Sequence, residues 1–211
     1  IQGGSFTPAG TIREKTMVHR IEIGFKERIR DALGEKIKRR IIDHLRIPVD
    51  SVQTVEVYTI DGPLDRGELE KAARGPLSDP VIQETAIDQS LAGGFDWLIE
   101  VGFRPGVTDN VGKTAGEAIS LLTGKTVRAY TSRQYVIRAV RDRCILDALT
   151  RADAERIASE LLANDLIQRY DILDGKTWDP ANGIRPYIPL VTGENRPHTE
   201  EIDLGRPGGE L

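Results

Sequence analysis

Ile21-Glu22-Ile23-Gly24-Phe25-Lys26, continuing to Asp31-Ala32-Leu33-Gly34, has a second version in the same chain: Ile99-Glu100-Val101-Gly102-Phe103-Arg104, continuing to Asp109-Asn110-Val111-Gly112. The offset is 78 residues throughout. The versions meet again near their ends, where Leu77-Ser78-Asp79-Pro80-Val81-Ile82-Gln83 answers Leu162-Ala163-Asn164-Asp165-Leu166-Ile167-Gln168 at an offset of 85. One such match is chance. Two in the same order indicate an internal repeat, with about seven extra residues in the middle of copy two, in the range of a longer hairpin.

Each copy reads as strand, helix, strand, strand or extended arm, helix, strand. Ile21, Ile23 and Phe25 alternate with Glu22 and Gly24, the pattern of a strand with one buried face. Asp31 and Asp109 stand where a helix N-cap belongs, and Gly34 and Gly112 follow each three residues later. Leu33, Ile37, Ile41 and Leu45 recur at helical spacing, as do Val111, Ala115, Ile119 and Leu122, which predicts one-sided helices stopped by Pro48 and Gly124. The β-branched run 52–60 predicts the next strand, with a longer counterpart from Thr126 to about Ile145. Second helices are expected over 68–74 and 152–163, and closing strands over 81–87 and 166–173. Gly24 and Gly102 interrupt their strands at matching places, which predicts a bulge or a close backbone approach.

The fold class expected is therefore α+β: two repeated units, each a small antiparallel sheet with two helices on one face, joined as a pseudo-dimer because a unit of that size buries little surface alone. The units are placed at 17–92 and 93–173. Residues 1–16 read as a tag remnant or a disordered arm before Met17, and 174–211, rich in Pro and Gly, as a linker or arm toward a further C-terminal module. The 211 residues carry 29 Lys+Arg against 33 Asp+Glu, so no global positive field favours nucleic acid. No apolar run has the length of a membrane helix, and a single Cys forms no internal disulfide, so cytoplasmic residence is the expectation, without membrane or nucleic-acid partners.

These residues resemble the small PurS subunit of phosphoribosylformylglycinamidine synthase. That family typically has a helix start of the form Val-x-Asp-Pro-x-Gly and a leucine-leucine-alanine-asparagine run into its last strand. Here Val107-Thr108-Asp109-Asn110-Val111-Gly112 matches the first with Asn110 in the proline's place, Ile29-Arg30-Asp31-Ala32-Leu33-Gly34 matches with Ala32 there, and Leu161-Leu162-Ala163-Asn164 matches the second. Copy one has Glu27-Arg28 where copy two has Pro105-Gly106, so its loop is expected to differ. The resemblance covers 18–173 and is similar to the double unit fused ahead of the large synthetases. It implies a non-catalytic assembly region of a ligase of purine biosynthesis, with no cofactor of its own. ATP and Mg would serve the whole enzyme, and the partners would be a PurL-type synthetase module and a PurQ-type glutaminase subunit. The region would organise those parts and the ammonia route between them. The alternative is a tandem small-molecule-sensing regulatory module.

Other motifs carry less. Gly112-Lys113-Thr114 opens a helix as a phosphate-binding loop does, but the glycine that pattern requires five residues earlier is Val107. Lys36, Lys38, Arg39 and Arg40 form a basic cluster, as do Arg138, Arg141 and Arg143; with few aromatics for base stacking, these read as solvated faces or rims toward an acidic subunit. Cys144 has no His near it in sequence and reads as core. Trp97 and Trp178 flank copy two and are the expected interface anchors. No residue is assigned to catalysis, and none to a cofactor or metal.

Overall fold

The structure, a computed structural model, describes residues 18–141, 149–179 and 184–190. The proposed tag remnant, Arg143, Cys144 and the whole tail after 190 lie outside them. Six strands form one sheet: β1 (Val18–Phe25), β2 (Val49–Asp61), β3 (Gln83–Ile87), β4 (Trp97–Phe103), β5 (Arg128–Ala139) and β6 (Gln168–Asp174). Every pairing is antiparallel, in the order β3-β1-β2-β5-β4-β6. Four helices complete the α+β fold: α1 (Ala32–Arg40), α2 (Arg66–Arg74), α3 (Asn110–Thr123) and α4 (Arg151–Ile157). Wider π-type turns continue α1 over Ile41–Leu45 and α4 over Ala158–Leu162. No described helix is long and apolar enough to cross a membrane.

The long central strands hold the sheet together. β2 and β5 pair along nearly their whole length, from Val49 opposite Ala139 to Asp61 opposite Arg128, with Glu56 facing Arg133 near the middle. Two apolar cores lie on the helix-covered face. The first joins Ile21, Ile23, Tyr58 and Ile60 to Leu69 and Ala72 of α2 and Ala115 and Ile119 of α3. The second joins Ile99, Tyr135 and Ile137 to Ile37 of α1 and Ala154 and Ile157 of α4. The first helix of each sequence copy packs on its own central strand, α1 on β2 and α3 on β5, and turns apolar residues into a core that also holds strands of the other copy. Sequence spacing conceals this sharing, because the hydrophobic period states that a helix face is buried and not against which strand.

The opposite face carries a third core of Val55, Val57, Leu98 and Val136, roofed by Ala92 and Phe95 and by Leu91, Trp178 and Ile184. The roof comes from the stretch 88–96 and from the described parts of the tail, 175–179 and 184–190. The sheet is therefore covered on both sides, with helices on one and loops on the other. The extra residues of copy two do not form a hairpin in β5, which runs unbroken to Ala139. They fall between β5 and the Thr150 cap of α4, a stretch of which 142–148 lies outside the described residues. Neither Gly24 nor Gly102 marks a bulge: the registers with β3 and β6 continue through them to Phe25 and Phe103. The two glycines sit on the loop-covered face, beneath the Leu91 side chain and beside Ser132.

Candidate functional site

The repeated Asp-x-x-Gly spacing has a joint role in both places. Asp31 Oδ1 accepts the Gly34 N–H at 2.7 Å and caps α1, while its Oδ2 accepts the Thr54 N–H at 2.6 Å and the Thr54 hydroxyl at 2.9 Å. Asp109 does the same with Gly112 at 2.7 Å and with Thr131 N–H and Oγ1 at 2.5 and 2.9 Å. One carboxylate thus pins a helix start to a central strand and satisfies donors that a helix end leaves unpaired. The glycine permits the approach. A Cβ on Gly34 would stand 2.2 Å from the Val52 carbonyl oxygen, and one on Gly112 2.5 Å from that of Ala129. The loops before the helices also agree, contrary to the expectation from Glu27-Arg28. Arg28 has φ 75° and Gly106 φ 84°, and each loop closes with a matching hydrogen bond, Ile29 N–H to Lys26 O and Val107 N–H to Arg104 O.

On the loop-covered face lies a buried ionic cluster that the sequence reading did not single out. Arg20 from β1 donates Nε to Glu22 Oε1 at 2.9 Å and reaches over β2 and β5 to Glu100 of β4, with Nη2 to Oε2 at 2.6 Å and Nη1 to Oε1 at 3.1 Å. Ser132 Oγ donates to Glu100 at 2.6 Å, and the Gln134 amide nitrogen donates to Glu22 at 2.9 Å and to Glu100 at 3.3 Å. The Leu91 N–H closes the shell on Glu22 Oε2 at 2.8 Å. Arg20, Glu22, Glu100 and Gln134 are all at most 4% exposed. Burial alone would raise the Glu100 carboxyl, but the Arg20 charge and hydrogen bonds from Arg20, Ser132 and Gln134 outweigh it and hold it below its usual range. Burial likewise works against the Arg20 cation, and the two carboxylates more than offset it. The only sequence signal was Glu22 and Glu100 at equivalent positions of the repeated strand; their meeting needs a sheet that brings β1 and β4 to opposite sides of one hairpin-like centre.

The remaining candidates have structural employment or none. Gly112 N–H is taken by Asp109, so a carboxylate already fills the place an anion would take at α3, and Lys113 projects from the exposed surface. Arg138 holds the 93–94 loop, donating to the Gly93 and Gly94 carbonyls at 2.9 and 2.8 Å. Trp97 is 7% exposed inside the second core and donates its indole N–H to the Leu149 carbonyl at 2.7 Å. Trp178 packs on Phe95 with ring centroids 5.7 Å apart. Lys36, Arg39 and Arg40 stand exposed on α1. Among the described residues there is no group of His, Cys, Asp and Glu fit to hold a metal ion. The chain matches no family model and no curated protein.

Proposed function

We propose that this chain is a double PurS-like unit, the non-catalytic assembly region of a phosphoribosylformylglycinamidine synthase. The observation that carries the reading is the recurrence, bond for bond, of the Asp–Gly–Thr arrangement at Asp31 and Asp109 within one antiparallel sheet. The closing turns recur as well: Asp79 and Asn164 N–H groups donate to Gln83 and Gln168, and their side chains accept from Val81 and Leu166. Two copies joined through β2 and β5, each with its first helix on its own central strand and facing a core shared with the other, form a pseudo-dimer in one chain. Such a body offers a rigid platform, with Arg20, Glu22 and Glu100 engaged with one another inside it. Val81 and Leu166, 78% and 86% exposed at equivalent turns, are the apolar points it offers to other subunits.

The test is reconstitution with a PurL-type synthetase and a PurQ-type glutaminase, in the presence of ATP and Mg. The chain alone should form no amidine. With it, the two partners should co-elute and glutamine should support turnover; without it, only added ammonia should. Turnover by the chain alone, or partners that assemble and use glutamine equally well without it, would overturn the reading.

A further inference from the structure

Beside α3 runs an open groove of about 910 Å³. Val107, Val127 and Ala129 contribute to its apolar lining, Gly116 and Ser120 of α3 form a wall, and Leu121, 87% exposed, stands at its edge. Lys113 lies on the rim, exposed and without an acidic partner among the described residues. Beside α1 the positions equivalent to Gly116 and Ser120 carry Lys38 and Ile42, whose longer side chains take up such space. One lip of the groove belongs to the chain's own C-terminal arm. Tyr187 is held under the Arg169 guanidinium, 3.4 Å from its ring centroid, and Pro189 then lines the groove itself. The described chain ends one residue later, at Leu190.

We propose that the groove is the docking site for the segment 191–204 of this same chain. Continuity is the first argument, since the described arm brings Pro189 to the groove's lip and ends at Leu190. Reach is the second: 14 residues extended span up to about 45 Å, against about 21 Å for the length of α3. Pattern and charge are the third. Glu201-Ile202-Asp203-Leu204 alternates, so that an extended backbone directs Ile202 and Leu204 to one side and the carboxylates to the other. Ile202 and Leu204 would cover Val127, Ala129 and Leu121, and the acidic side would face Lys113. Residues 191–211 hold five carboxylates and two arginines, an excess opposite in sign to that of the lining, where Lys113, Lys125 and Arg128 stand against Asp109 and Glu117.

Limited digestion of the full chain with a glutamate-specific protease tests this at Glu200 and Glu201. Cleavage there should be at least tenfold slower in the wild type than in Leu121→Glu, which places a charge at the groove. The substitution lies at a solvent-facing position, and Leu121→Ser provides a milder version with an intermediate rate, each checked for an unchanged thermal melt. In parallel, hydrogen exchange at 125–130 should quicken in a chain ending at Leu190 and slow again when peptide 191–211 is added in trans. Equal cleavage rates in wild type and both variants would overturn the proposal. So would protection that rises with chain concentration and persists in the chain ending at Leu190, which would assign the groove to a second copy.

Discussion

The first and second halves of this chain agree where helices meet strands and disagree beneath the sheet. At Asp31 and Asp109 the cap, the glycine and the strand threonine coincide to within 0.1 Å in each hydrogen-bond length. On the loop-covered face the counterpart of Arg20 is Leu98, and those of Ser132 and Gln134 are Val55 and Val57. Only Glu22 and Glu100 are common to both. The helix starts tolerate little variation because each depends on a carboxylate with three donors and on a missing Cβ. The underside asks only that buried polar groups find partners, and one arginine from the first half serves carboxylates of both. The matching positions therefore keep their joints and differ in their lining.

The largest effect should come from breaking that shared arginine. Arg20→Met leaves two buried carboxylates without their cation and should cost about 3–5 kcal/mol in urea unfolding, whereas Leu98→Met, at the equivalent place, should cost less than about 1.5 kcal/mol. A small loss at Arg20 would mean that the two halves do not share an ionic centre. The pH dependence sharpens the point. The Glu100 carboxyl lies below its usual 4.5 in the folded chain, so its contribution is complete above that value and is lost as pH falls through the folded one. The wild type should lose stability below about pH 4.5 more steeply than Glu100→Gln.

Next in size are Gly34→Ala and Gly112→Ala, each of which puts a methyl into a strand carbonyl. Both should destabilise by about 3 kcal/mol, and similarly, because the helix starts are equivalent. Gly24→Ala meets a mobile leucine methyl at 3.3 Å and should cost far less. Unequal losses at Gly34 and Gly112 in chemical denaturation would break the claim of equivalence. The smallest effect tests the loops before the helices. Arg28 adopts a left-handed backbone where copy two has Gly106, so Arg28→Gly should raise stability by up to about 1 kcal/mol. A loss there would show that the arginine side chain compensates for its backbone.

Much of the secondary structure was legible because it follows from local chemistry. Asp31 and Asp109 announce their caps, Gly124 closes α3 with φ 71°, and alternation marks β1 and β2 within a few residues. The closing strands begin at Gln83 and Gln168, later than the apolar residues before them suggest, because Asp79 and Asn164 fold those residues into turns. Gly34 and Gly112 were visible as repeated positions, but their reason was not: the atoms that exclude a Cβ belong to Val52 and Ala129 on other elements.

The sequence by itself determined the α+β class, the caps that start α1 and α3, and the alternation of the central strands, since spacing and cap chemistry act over a few residues. The tertiary structure alone decided that β2 and β5 join into one sheet, that α1 and α3 face cores built from both halves of the chain, and that Arg20 meets Glu100. Those outcomes depend on pairings about 80 residues apart. A hydrophobic face or a charge in the sequence states that it needs a partner, and only the closed fold selects which one.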